Sequence, residues 1–163
     1  MTQASEEMTT PAELKEAEQI SLGFPGRPEY VALGRLVAGV VGAREALDEE
    51  SVADLKLVVT EACTCFMYGP KGSQAGQTPD DGAPSFIRVE FDVSPEAWEI
   101  RVSDPEHKHR LEGLGSCDPM SEGVRGLTII NALADSAEFT ETEAEGSVIR
   151  LIKRFPSSAG LDI

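Results

Sequence analysis

Positive charge is scarce in this chain. Against 29 Asp and Glu there are 14 Lys and Arg in 163 residues, giving a formal net charge of -15 with the 2 histidines neutral. Such an excess repels a phosphate backbone or an anionic membrane over the whole approach, so direct binding to nucleic acid or to a membrane surface is not expected. A basic protein partner matches the charge better. Cysteine is also sparse and odd in number: Cys63, Cys65 and Cys117 offer no disulfide framework. Cys63 and Cys65 fall in an apolar, helix-like run, where buried reduced thiols are the expected state. Long apolar runs are missing, none approaching the ~20 residues of a membrane span. The opening stretch MTQASEEMTTPAELKEAEQ has neither a basic leader region nor an apolar core. A cytoplasmic location follows as an expectation. No serine has a paired His-Asp arrangement, and no P-loop pattern occurs, which removes two common catalytic designs. His107 and His109, with Cys117 and Asp118 nearby, match no zinc spacing and read as a solvated polar loop.

The hydrophobic fraction is ordinary, at 40%, and the length suits one domain. Residues 1–17 are polar and acidic and read as an N-terminal tail, residues 18–155 as the domain, and residues 156–163 as a C-terminal tail. Ile20, Leu22 and Phe24 alternate with polar or small residues at strand spacing, and Pro25-Gly26 ends the run. From Pro28 the period becomes helical, with a stripe of Val31, Leu33 or Gly34, Leu36, Val37, Val40 and Val41. Asp48, Glu49, Glu50 and Ser51 suit the start of a second helix carrying Val52, Leu55, Val58, Val59, Ala62 and Phe66, which Gly69-Pro70 stops. Residues 69–85 are almost all Gly, Pro and small polar residues, hence a loop. Ile87, Val89, Phe91 and Val93, then Trp98, Ile100 and Val102, alternate on either side of Ser94-Pro95-Glu96 and predict a hairpin with one buried face. A short third helix is expected to begin near Gly126, carrying Leu127, Ile130, Leu133 and Ala134. Two strands follow at 136–140 and 147–155, joined by an acidic turn at 141–146. The order β-α-α-β-β-α-β-β predicts an α+β sandwich with helices on one face of a mixed, largely antiparallel sheet.

Five stretches, PEYVALGRLVAGV, DLKLVVTEACT, WEIRVSD, SEGVRGLTIINALAD and GSVIRLIKRF, resemble in this order and spacing the anti-sigma factor and serine-protein kinase family of bacterial stress and sporulation switches. The resemblance covers residues 18–155. It implies the GHKL, or Bergerat-type, two-layer ATPase fold, with ATP and Mg²⁺ as cofactors. It also implies a sigma factor and an antagonist protein as partners, with homodimer formation.

The family's second helix carries a Glu and, four residues on, an Asn, so that both lie on one face a turn apart. By resemblance Glu61 is the carboxylate that orients or deprotonates the attacking hydroxyl, while the Asn that holds the metal is replaced by Cys65. A thiol is a poor ligand for a hard cation, so Mg²⁺ loses a contact. Asp104 corresponds to the carboxylate that accepts the adenine amino group. Pro105 and Glu106 stand after it where the family has small, flexible residues. The phosphate-receiving turn is matched by Gly123 and Gly126, interrupted by Val124 and Arg125, with Arg125 available to a phosphate. The family's Gly-Thr-Thr appears as Gly146-Ser147-Val148, leaving Ser147 as the remaining hydroxyl. Lys108, His109 and Arg110 fall where the family has its ATP lid. The region from Pro28 to Val41 corresponds to the family's sigma-binding and dimer surface, with Arg35 as its positive group. These departures predict an anti-sigma factor with reduced or absent kinase activity. A working serine kinase of the antagonist and a nucleotide-independent, kinase-like scaffold remain as the alternatives.

Overall fold

A computed structural model describes residues 18–68, 86–105 and 122–155. Its elements run β1 (Glu18–Pro25), a 3-10 turn (Pro28–Tyr30), α1 (Val31–Arg44), α2 (Glu49–Tyr68), β2 (Phe86–Val93), β3 (Ala97–Ser103), α3 (Glu122–Leu133), β4 (Ser136–Thr142) and β5 (Gly146–Arg154). The sheet order is β1-β2-β3-β5-β4. Every described pair is antiparallel, so the expected mixed sheet is in fact antiparallel throughout the described strands.

The period-two pattern decides the faces. Leu22 pairs with Val89, and Val89 with Val102; Val102 in turn pairs with Ile149. Phe91, Ile100 and Leu151 form a second such row. These side chains join Leu55, Val58, Val59, Ala62 and Phe66 of α2, Ala38 and Val41 of α1 and Ile130 of α3 in one buried cluster. Burying this much aliphatic and aromatic surface, at roughly 25 cal/mol per Å², is what holds the two layers together. On the far face charges alternate and compensate. Arg150 makes a forked contact with Glu99 at 2.8 and 2.9 Å, and Arg101 lies 3.3 Å from Glu145. Phe91, Trp98 and Phe155 close the core at one end with edge-to-face ring contacts.

The stripe read from the sequence of α1 is only partly buried: Val31, Gly34 and Val41 belong to the inner face and Val37 packs against the core, while Leu33, Leu36 and Val40 do not. Val31, Gly34, Ala38, Val41 and Gly42 face inward, while Leu36 and Val40 are each 62% exposed. The reason is a close helix approach. A Cβ added at Gly34 would lie 3.0 Å from Val59 Cγ1, one at Gly42 3.0 Å from Val52 Cγ2, and one at Gly39 2.6 Å from Lys56 Cε. The small residues thus take the contact with α2, which leaves the larger aliphatics outside. After α1 the amides of Ala46 and Leu47 return to the carbonyls of Ala43 and Gly42, each at 3.1 Å, a Schellman closure in which Ala46 takes φ 57° where glycine is usual. Asp48 then caps α2 by accepting the Ser51 amide at 2.6 Å.

Helix α3 begins at Glu122, earlier than the expected start near Gly126, and strand β4 runs to Thr142, beyond the expected end at residue 140. Lys153 on β5 ties the layers together, donating to the carbonyl of Leu133 at 2.7 Å and lying 3.5 Å from Asp54 of α2. No described helix is long and apolar enough to cross a membrane.

Candidate nucleotide-binding site

Helix α2 presents Glu61 and Cys65 one turn apart, and the backbone of α3 packs against both. A Cβ at Gly126 would stand 3.0 Å from Glu61 Oε2 and 3.5 Å from Cys65 Sγ. The absence of a side chain at Gly126 therefore sets how closely α3 approaches the Glu61 carboxylate. Gly126 lies within α3 and not at its N-terminus, so its amide is past the first turn, where helical N–H groups are free of intrahelical partners. Gly123 and Arg125 do fall in that first turn.

Cys65 is 1% exposed and Cys63 is fully buried; both are free thiols. Two residues apart on a helix, they point in different directions, Cys63 into the core and Cys65 toward α3. Burial, with the charge of Glu61 adding to it, pushes the Cys65 thiol up to about 12. Burial likewise raises Cys63 to about 12, with Cys65 adding to the effect. Both are protonated at neutral pH. A protonated thiol turned against a helix backbone is not a donor for an oxygen-seeking cation, so this position does not fit Mg²⁺. Among the described residues no group of three or more His, Cys, Asp and Glu converges on a metal position.

A second pair forms where β3 ends and β5 begins. Asp104 is fully buried and Ser147 is 1% exposed, although one is ionisable and the other polar. The Asp104 amide donates to the Ser147 carbonyl at 3.3 Å. Counting by twos from Val102 and from Ile149, both side chains project from the helix-bearing side of the sheet, beyond the last row of aliphatic residues. Chain order separates these residues by a helix and a strand. The antiparallel β3–β5 pairing brings them side by side.

Residues 24–153 match the histidine kinase-like ATPase domain. The chain is 32% identical over 130 residues, 73% of its length and 76% of the relative's, to the serine-protein kinase RsbW of Bacillus pumilus. It is 30% identical over 143 residues, 81% of its length and 85% of the relative's, to the RsbW of Listeria monocytogenes serovar 1/2a. The chain belongs to the histidine kinase-like ATPase family of serine-protein kinases. Within that family fold, α2 and α3 bring Glu61, Cys65 and Gly126 together, and β3 and β5 do the same for Asp104 and Ser147.

Arg35 stands apart from both clusters, exposed on α1. It lines a shallow depression of about 230 Å³ with Ala32, Leu36 and Lys56. Reading the sequence singled out Arg35 and missed Lys56, whose stem crosses Gly39. The signal was available in the glycine at position 39, since a long side chain from a facing helix can lie over a residue that has none. A second depression, of about 250 Å³, opens on the far face of the sheet among Arg88, Glu90, Arg101, Ser103 and Glu145. The charges lining it are mixed in sign and partly paired with one another. His107, Lys108, His109, Arg110, Cys117 and Asp118, together with Glu106, lie outside the described residues.

Proposed function

We propose that this protein is an anti-sigma factor that sequesters a sigma factor of RNA polymerase in the cytoplasm and releases it when an antagonist protein binds, with serine-kinase activity reduced or absent. The observation that carries this reading is the combination of a family fold spanning residues 24–153 with a protonated, buried Cys65 on the same helix face as Glu61. The framework is kept, while a group on which phosphotransfer depends is altered. In this reading Asp104 and Ser147 receive the adenine end of ATP, and Gly123, Arg125 and Gly126 lie on the phosphate side. Glu61 orients the serine hydroxyl of the antagonist and takes its proton in whatever transfer survives. The partner surface is the exposed aliphatic face of α1 around Arg35, where a second copy of the chain also docks.

Co-purification from the native cell, read by mass spectrometry, is expected to return a sigma factor and a small antagonist. Incubating the antagonist with the protein and labelled ATP is expected to give little or no phosphoserine. Recovery of neither partner refutes the anti-sigma reading. Rapid, stoichiometric phosphorylation that Glu61→Ala abolishes without loss of sigma binding would instead establish a working kinase.

A further inference from the structure

We infer that the adenine nucleotide bound at this site is held without a protein-bound metal, so that its affinity does not depend on Mg²⁺. The inference rests on the reading that a nucleotide enters the site, and it extends that reading to what the site recognises. Two independent features of α2 point the same way. The first is chemical, since position 65 offers sulfur where a hard cation requires oxygen. The second is geometric. The space beside Gly126 is bounded at 3.0 Å by Glu61 Oε2, at 3.5 Å by Cys65 Sγ and at 3.7 Å by the Glu61 carbonyl oxygen. Those distances describe a close helix contact, in which even a methyl group at position 126 would press on the carboxylate. A magnesium ion with its octahedral shell needs oxygens at ~2.1 Å in six directions, with the waters or phosphates that bear them outside that. Cys65 thus serves as packing, its buried sulfur turned toward the α3 backbone at Gly126 and not presented as an oxygen-type metal ligand. Binding energy then comes from the nucleoside end, where Asp104 and Ser147 lie buried side by side.

Calorimetric titration of the full chain with ADP, once in Mg²⁺ and once in EDTA, decides the matter. Equal affinity in the two media, within about threefold, is the expected result. In the Cys65→Asn variant Mg²⁺ is expected to tighten ADP by ~10-fold or more, the size of change associated with restoring a supporting ligand. A tenfold or greater gain from Mg²⁺ in the wild-type chain overturns the inference while leaving nucleotide binding intact. Failure of ADP to bind in either medium overturns the underlying nucleotide reading, and the inference with it. Metal independence in both the wild type and a folded Cys65→Asn variant would show that residue 65 is not the cause.

Discussion

Replacing Gly126 by alanine puts a methyl group 3.0 Å from Glu61 Oε2, 3.5 Å from Cys65 Sγ and 3.7 Å from the Glu61 carbonyl oxygen. Only the first contact is too tight, and it is made by the far end of a side chain that can turn. Moving the carboxylate off its rotamer costs about 0.5–1.5 kcal/mol. Against this stand a helix-propensity gain of about 1 kcal/mol for alanine over glycine inside α3 and about 0.8 kcal/mol from burying one methyl group. The gains outweigh the cost, and the variant is expected to be stabilised by roughly 0.3–1.3 kcal/mol. For a chain of this size that is a rise in Tm of about 1–5 °C. The consequence lies with Glu61, whose carboxylate must give way by a few tenths of an ångström. Gly126→Ala is therefore expected to melt at or slightly above the wild type in a urea or thermal series, to keep the proposed sigma partner, and to weaken any phosphotransfer to the proposed antagonist that the wild type supports. Gly126→Val, whose further methyl groups reach the backbone of α2, should cost about 1–3 kcal/mol by overpacking. A drop in Tm of about 8 °C or more for the alanine variant would mean that the α2 backbone yields and the carboxylate does not, and would refute this account of the α2–α3 contact.

Lys153→Met removes a charge-assisted hydrogen bond to the last turn of α3 and should cost about 1.5–3 kcal/mol in urea unfolding. Asp54→Ala, which breaks only the longer 3.5 Å contact, should cost less than about 1 kcal/mol; equal costs would identify the ion pair as the principal tie. Ala46→Gly, at φ 57° in the α1–α2 turn, should stabilise the fold by about 1 kcal/mol, because alanine pays for a left-handed backbone that glycine adopts freely. A destabilised variant would contradict that account of the closure. With a net charge of -15, association with the proposed sigma partner, if its docking segment is basic, should slow as salt rises, since exposed charges are screened beyond about 8 Å at physiological ionic strength. Arg35→Glu should weaken binding even though overall attraction increases. An on-rate insensitive to salt, or unchanged binding by the variant, in surface-plasmon kinetics would argue against electrostatic docking through α1.

The order of the elements was legible in the chain alone, because alternation in Ile87 to Val93 and Trp98 to Val102 and the turn-rich breaks between segments are local properties of the chain. The sequence also brought Glu61, Asp104 and Ser147 into view as candidates, through resemblance to a family. Three matters were settled only by the tertiary structure. The large aliphatics of α1 stand outside because Gly34, Gly39 and Gly42 let α2 approach closely, and a helical period says which residues share a face, not what covers that face. Gly126 became a packing position because α3 starts at Glu122, in a stretch where Gly123 and Gly126 blur any start signal. Asp104 came to lie beside Ser147 because β5 pairs with β3 across an intervening helix and strand. Backbone pairing between distant segments depends on which apolar faces can be buried together, and that is decided by the assembled core and not by any one stretch of sequence.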